Sequence, residues 1–517
     1  MCKQTVFEFQ EHNRRKVTAS FDGGHLSSDA SGSLLLRELE RRTGIIASLA
    51  GCFNDYRDPR RIEHSLEELL RQRIGALTLG YEDLNDHDYL RYDPALALMT
   101  GKDDVEGLDR NRERDRGKAL AAHSTLNRFE LGALGGDVRY KKIIPDMTGI
   151  EELLIQEGVR AIPRRSRQIV RDFDATDDPL HSAQEGRFFH GYYGHYCYLP
   201  LYCFCGNVPL WAWLGPAQRD ASEGTVDALK KIVPAIRKRF KGKVQIIVRG
   251  DGGFARETIM HWCEENKVAY CFGLSRNNRL RKKLSASFEA LQEQCPQLPA
   301  RRFVQFEYRT LKSWSRSRRV VGKAELLERG ENPRFVVTSL DETEFDARSL
   351  YEDFYCGRGD MENRIKEQQQ DLFADRTSTH AMASNQLRLW LSAFAHLMFA
   401  RLQACALRGT ALEKATIGTV RLRLFKIAAR VKVSVRRIRF ELSSGCPDEA
   451  VFAAVWKNLQ AWPSSRPGPC HSYSEKCFRF YRTASLCSSN SEKDEKSRCR
   501  RPITCPEAPG TRKKQTA

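Results

Sequence analysis

Val244-Gln-Ile-Ile-Val-Arg-Gly-Asp-Gly-Gly-Phe254 is a short apolar run that ends in an acid followed by two glycines. A run of β-branched residues bounded in this way reads as a buried strand. Strand ends are where an α/β sheet exposes reactive side chains, and glycines there let a cation or phosphate approach the backbone. Asp251 is therefore a candidate ligand, although Asp-Gly after a strand is also ordinary turn punctuation. On one side of this strand, Val226, Leu229, Ile232, Val233 and Ile236 predict a helix over 222–240. On the other, a helix over 256–266 leads into the strand Val268–Leu274. Upstream, 168–173, 188–204 and 208–214 read as strands, so the order is three strands, helix, strand, helix, strand.

That order suits an α/β sheet of the ribonuclease-H-like kind, spread over 151–275. Residues 1–150 read as a helical N-terminal domain, with apolar rhythms through Leu34, Leu35, Leu36, Leu39 and through Leu66, Leu69, Leu70, Ile74, Leu77. The charged stretches 83–88 and 103–116 there have a solvated pattern. Residues 276–340 leave the α/β rhythm and predict an inserted basic β subdomain. Residues 341–410 return to helix and form a second part of the core; 411–462 is a C-terminal region. The stretch from Pro463 to Ala517 holds twelve Lys or Arg against five acids and no amphipathic period, which predicts a disordered basic tail.

With 517 residues, 29% of them charged and 41% hydrophobic, the chain is long enough for a large core and excludes a wholly disordered chain, a collagen and a multi-span membrane protein. Its formal charge of +19 favours polyanions, of which nucleic acid is the commonest met by a soluble basic protein. The 16 cysteines are scattered without a C-x-x-C pair, which argues against a zinc site or a disulfide framework. No apolar run follows the N-terminal charge, so no secretory signal is read and a reducing cytoplasm is expected. The stretch 188–218 has no Lys, Arg, Asp or Glu, but its prolines and tyrosines predict buried β structure rather than a membrane span.

Two further acidic sites carry chemical interest. Arg171-Asp-Phe-Asp-Ala-Thr-Asp-Asp178 closes the first strand with four carboxylates, and capping or surface solvation accounts for any one of them. Asp172 and Asp174 fall on the same side of that strand. In the predicted helix Tyr355-Cys-Gly-Arg-Gly-Asp-Met-Glu-Asn-Arg-Ile-Lys-Glu-Gln-Gln369, the residues Tyr355, Arg358, Glu362, Lys366 and Gln369 share one face at about 100° per residue. An i,i+4 salt-bridge ladder explains the same spacing.

Acids at 174, 251 and 362 on two strands and a helix, with a basic insertion before the last, resemble the DDE transposases of bacterial insertion sequences. The helix resembles that group's Y-R-E-K signature through Tyr355, Arg358 and Glu362, and departs from it at Gln369, where Lys366 on the same face could supply the charge. Asp174 looks like the first catalytic aspartate and Arg249–Phe254 like the block around the second. Phe21-Asp-Gly-Gly, Gly80–Asp88, Ser124–Glu130 and Glu362–Glu367 are similar to blocks of the insertion-sequence family numbered thirteen-eighty. The resemblance implies a catalytic and metal-binding triad of Asp174, Asp251 and Glu362, with two Mg²⁺ ions or substituting Mn²⁺ that stabilise the entering and leaving oxygens of a phosphodiester. It implies DNA contacts by Tyr355, Arg358 and Lys366, and makes the N-terminal domain a candidate for end-DNA binding. ATP is not needed, since each strand transfer exchanges one phosphodiester for another, and no G-x-x-x-x-G-K-[ST] loop is present.

The insertion points to DNA independently. Arg301–Lys323 holds eight Lys or Arg against one acid, Glu307, with aromatics interleaved. Arg316, Arg318 and Arg319 are candidate phosphate contacts, and Trp314 is either a base-stacking ring or a cap on the subdomain. Phe303 and Phe306 are better read as facing its core. The expected function is an insertion-sequence transposase that acts on double-stranded DNA, terminal inverted repeats and target, as a homodimer in a synaptic complex within the bacterial cytoplasm. The alternatives are a metal-dependent nuclease that does not join strands, and an impaired transposase-derived DNA-binding protein.

Overall fold

In a computed structural model, residues 6–12, 15–20, 26–134, 142–294 and 298–463 are described. The Phe21-Asp-Gly-Gly block and the tail beyond 463 lie outside them. The helices that matter below are α1 (Ser33–Thr43), α2 (Leu66–Leu79), α3 (His123–Glu130) and α4 (Met147–Ala161). Ser65 starts α2 by accepting from the Glu68 N–H while Glu68 accepts from the Ser65 N–H, which satisfies two end groups at once.

The sheet begins with β1 (Gln168–Ala175), β2 (Leu201–Cys205) and β3 (Val208–Trp213). Helix α5 (Thr225–Phe240), strand β4 (Gln245–Gly250), helix α6 (Glu257–Glu265) and strand β5 (Ala269–Leu274) follow. Each falls within a few residues of its predicted range except β2: the run predicted over 188–204 divides into three strands, of which β2 is the last. Strand β4 runs parallel to both β1 and β5, while β2 is antiparallel to β1 and to β3.

Residues 300–338 depart from expectation. Strands β6 (Ala300–Tyr308), β7 (Arg318–Leu327) and β8 (Arg334–Thr338) do not fold as a separate subdomain. They continue the same sheet, ordered β3-β2-β1-β4-β5-β8-β7-β6, with Gly330–Glu331 adding a ninth strand on β7. The reason is the free edge of β5: β8 covers it antiparallel from Cys271↔Thr338 to Leu274↔Phe335 and pairs a row of otherwise unsatisfied backbone groups.

After the sheet comes a broken helical segment. A π-helical turn at Leu350–Tyr355 and a 3₁₀ turn at Cys356–Arg358 precede α7 (Gly359–Lys366), and a second π turn covers Glu367–Asp371. Helix α8 (Met382–Leu402) is buried along nearly its whole length, with α2 against it and also β3 and α4. An apolar helix buried all round needs neighbours on every side, and here the N-terminal helices supply them. Glu130, fully buried at the end of α3, accepts from Arg73 of α2 at 2.7 Å and Arg388 of α8 at 2.6 Å. One apolar core accordingly runs from Ala30 to Leu459, and no boundary falls at 150. The antiparallel pair β9 (Ala429–Ser434) and β10 (Arg437–Leu442) adds Ser27–Ser28 as a third strand, and α9 (Glu449–Ala461) packs on α1. Among the described residues no helix is long and apolar enough to cross a membrane.

Candidate active site

Parallel pairing of β1 with β4 sets Arg249 opposite Asp172. Asp251 follows β4 directly and Asp174 lies near the end of β1, close enough for the Asp251 charge to act on the Asp174 carboxyl. Side chains alternate along a strand, so Asp172 and Asp174 face the same side and only their neighbours distinguish them. Asp172 is buried and held by Arg249, whose Nε and Nη2 donate to its two oxygens at 2.5 and 2.8 Å. Burial pushes its carboxyl up, against the pull of Arg249. Arg249 also donates to the carbonyls of Phe354 and, at 3.2 Å, Gly357, and so ties β4 to the entrance of α7. This strut was not foreseen. Its only sequence signal is a lone Arg in the otherwise apolar β4 and one of several acids at the end of β1.

Asp174 receives a different cation. Arg358 donates through Nη1 to its Oδ2 at 2.8 Å and through Nη2 to Glu362 Oε1 at 3.4 Å. Burial pushes the Asp174 carboxyl up to about 6, Arg358 opposes the shift, and the Asp251 charge adds to it. Asp251 Oδ1 accepts the Gly253 N–H at 2.8 Å, which shapes the turn after β4. Glu362 is exposed. Among the described residues no three His, Cys, Asp or Glu side chains stand close enough to hold a metal ion together. Asp174 and Glu362 share one guanidinium instead.

The rest of the signature segment is divided. Tyr355 reaches β5: a Cβ on Gly273 would lie 2.5 Å from the Tyr355 hydroxyl and 2.9 Å from the Gly252 nitrogen, so only glycine permits this approach. Burial pushes the Tyr355 phenol up to about 12, and nearby Asp251 adds to that shift. Lys366 is exposed at the end of α7. Gln369 donates to the Asp177 carbonyl at 3.0 Å and fastens the segment to the loop after β1. The π turns at 350–355 and 367–371 break the uniform 100° spacing on which the common face was drawn, which therefore holds best from Arg358 through Glu362 to Lys366.

The residues expected to touch DNA from the insertion are largely occupied. Trp314 is 4% exposed, sits edge-on to Tyr308 with centroids 5.8 Å apart, and has the Arg318 guanidinium over its ring, so it caps the sheet. Arg318 is buried between Glu257 at 2.6 Å and Glu264 at 2.7 Å. Arg319 donates to the carbonyls of Leu340 and Phe345 and to Gln305. Arg316 alone of the four stays exposed, with Glu264 at 3.3 Å. The excess of charge read in Arg301–Lys323 is balanced from outside that window: Glu325 takes Arg301 at 2.7 Å and Lys323 at 2.9 Å.

Exposed aromatics lie elsewhere. Within the stretch 188–218, expected to be buried β structure, Phe188–His190 and His195–Tyr198 form a small sheet with Asp178–Pro179 in which Cys197 and Tyr198 are buried but Phe188, Phe189, Tyr192 and Tyr196 are exposed, Tyr192 by 86%. Their hairpin adjoins the carboxylates. Burial first, then Asp177 and Asp174, push the Tyr193 phenol up to about 12, and His195 meets Asp177 at 2.8 Å.

The family model described as "Transposase DDE domain group 1" matches residues 9–464. No match was found among curated proteins. Among solved structures, the chain is similar to a cryo-EM structure of the piggyBac transposase synaptic complex with hairpin DNA, at 10% identity and a TM-score of 0.37, covering 90% of this chain and 87% of that one.

Proposed function

Because the chain belongs to the transposase DDE domain group 1 family, we propose that it is an insertion-sequence transposase, of the bacterial family numbered thirteen-eighty, that binds terminal inverted repeats and cleaves and transfers DNA strands. The observation that carries this reading is that Arg358 joins Asp174, near the end of β1, to Glu362, while the Asp251 charge just past the parallel strand β4 is close enough to push the Asp174 carboxyl up. The strand order β3-β2-β1-β4-β5, antiparallel then parallel, supports a ribonuclease-H-like core extended at one edge by β8, β7 and β6.

Asp174 and Asp251 offer adjacent hard oxygens, the donor type that Mg²⁺ and Mn²⁺ prefer. They would hold the metal, joined by Glu362 once Arg358 turns toward a DNA phosphate. Bound there, the two ions would stabilise the entering and leaving oxygens of the phosphodiester. Arg358, with Lys366 and the Tyr355 hydroxyl near it in the chain, would grip the strand that is cut. Arg249 holds the entrance of the Arg358–Glu362 helix against β4, which sets where those side chains begin.

In the test, purified chain receives duplex ends carrying a labelled 3′-hydroxyl, target DNA and Mg²⁺. Joined product is expected. Cleavage without joining would establish the nuclease reading instead, and binding without cleavage the DNA-binding one.

With Trp314 buried, the hairpin rings are the candidates for stacking on an unpaired base at the cut end. Tyr192→Ala is expected to lower end processing at least about fivefold, since one base–aromatic stack is worth ~1–3 kcal/mol, with thermal unfolding unchanged. Trp314→Ala is expected to cost about 3–5 kcal/mol of stability, as for other buried aromatics. Processing that depended on Trp314 in a variant of undiminished stability would reverse this assignment.

A further inference from the structure

The loops around 57–64 and 110–115 and the start of α3 form a cleft of about 730 Å³ lined by eight arginines against two acids, Glu63 and Asp115. None of its lining residues belongs to the site around Asp174. Its floor is built from arginines already committed to internal partners. Arg57 meets Asp55 at 2.6 Å, Arg91 meets Asp115 at 3.2 Å, and Arg110 meets Glu63 at 2.7 Å. Arg110 Nη1 lies 2.8 Å from His64 Nε2. Burial, followed by Lys102, Arg110, Arg91 and Arg57, pushes His64 down to about 2, so the imidazole stays neutral and accepts that bond.

The rim is different. Arg60, Arg61 and Arg114 are between 76% and 90% exposed. Arg60 and Arg61 share the single carboxylate of Asp58 at 3.4 and 3.7 Å, and Arg114 lies 3.9 Å from an Asp115 that also serves Arg91. Arg112 and Arg128 are exposed and have no ion-pair partner among the described residues. Ser124 and Thr125 open the first turn of α3 onto the same cleft, and Arg128 follows them at i+4 and i+3 on one helix face. A stretch singled out by its sequence, Ser124-Thr-Leu-Asn-Arg128, thus presents two hydroxyls and a guanidinium to one opening.

We propose that this cleft is a docking site for the phosphate backbone of duplex DNA, separate from the carboxylate site and engaged whatever the base sequence. The inference rests on the transposase reading for the choice of DNA. A small anion would be held by one or two guanidinium forks. Five weakly compensated arginines on one rim instead suit a ligand that carries phosphates in series, and hydroxyls beside them are common phosphate donors. The committed arginines of the floor add to the positive field and hold the rim in shape.

The test uses the full chain and a fluorescein-labelled 30-base-pair duplex of mixed sequence, read by anisotropy across a salt series (a probe length of about three helical turns at ~10 base pairs each). The combined variant R60Q/R61Q/R112Q/R114Q/R128Q changes exposed side chains only, and thermal unfolding checks that it folds. A second variant, S124E/T125E, places two negative charges in the cleft without touching an arginine. Both are expected to weaken binding at least about tenfold at 0.1 M salt. The five-site variant is expected to flatten the log–log slope by about 0.9 for each phosphate that is no longer neutralised. Wild-type affinity and slope in both variants would overturn the proposal, as would wild-type preference for an RNA of the same length. Cleavage at saturating DNA separates the two readings. If wild type cleaves and both variants bind like wild type, the cleft proposal alone fails. If wild type binds through the cleft and does not cleave, the transposase reading fails and the cleft stands.

Discussion

Replacing Asp251 by Asn is expected to lower strand cleavage by about 10³-fold or more, on the order of 4 kcal/mol of barrier, while duplex binding stays within about threefold of wild type. The substitution keeps the size of the side chain, and its amide oxygen can still accept the Gly253 N–H that shapes the turn after β4. What it removes is one of two adjacent carboxylate charges, on which a metal-assisted phosphodiester displacement depends. Glu362→Gln is expected to act in the same direction, since Glu362 is exposed and contributes little to packing. Cleavage of a labelled end substrate with Mg²⁺, beside a binding isotherm at one fixed salt concentration, is the measurement. A Glu362→Gln variant that cleaves normally would reduce the Arg358–Glu362 pair to an ordinary helix salt bridge.

Arg249→Met is expected to cost about 3–5 kcal/mol of stability, because it leaves Asp172 buried beside no cation of its own. Adding Asp172→Leu to the same chain is expected to recover most of that loss, since replacing both members of a buried pair by apolar groups is often close to neutral. Thermal or denaturant unfolding of the two single variants and the double variant gives the coupling directly. Cleavage is expected to stay low in the double variant, because the carbonyls of Phe354 and Gly357 are left without the donor that holds the helix entrance to β4. A single variant destabilised by less than about 1 kcal/mol would show that Arg249 is not a strut.

Much of the architecture follows from local pattern. The apolar runs of β1, β4 and β5 and the 3.6-residue rhythm of α5 reflect which faces are buried, and burial is written residue by residue along the chain. Asp251 and the Arg358–Glu362 pair were legible for the same reason: one lies at a strand end, the other at a helical spacing of four. Strand partnership is not written that way. A short alternating strand carries no mark of its neighbour, so β6, β7 and β8 looked like a separate subdomain and proved to be the far edge of one sheet.

Charge compensation is equally non-local. The basic stretch 301–323 is balanced by Glu257, Glu264 and Glu325, which lie outside it, and Trp314 is sealed by the packing that results. The charged stretch 103–116 looked merely solvated. Only folding brings its Arg112 and Arg114 to the same rim as Arg60, Arg61 and Arg128, because helices packed by their apolar faces decide which charges are left side by side. The sequence by itself determined the elements, the acids at their ends and the sign of the net charge. The tertiary structure decided which strands pair, which cations are already neutralised and where the remaining ones gather, since each of these depends on contacts between residues far apart in the chain.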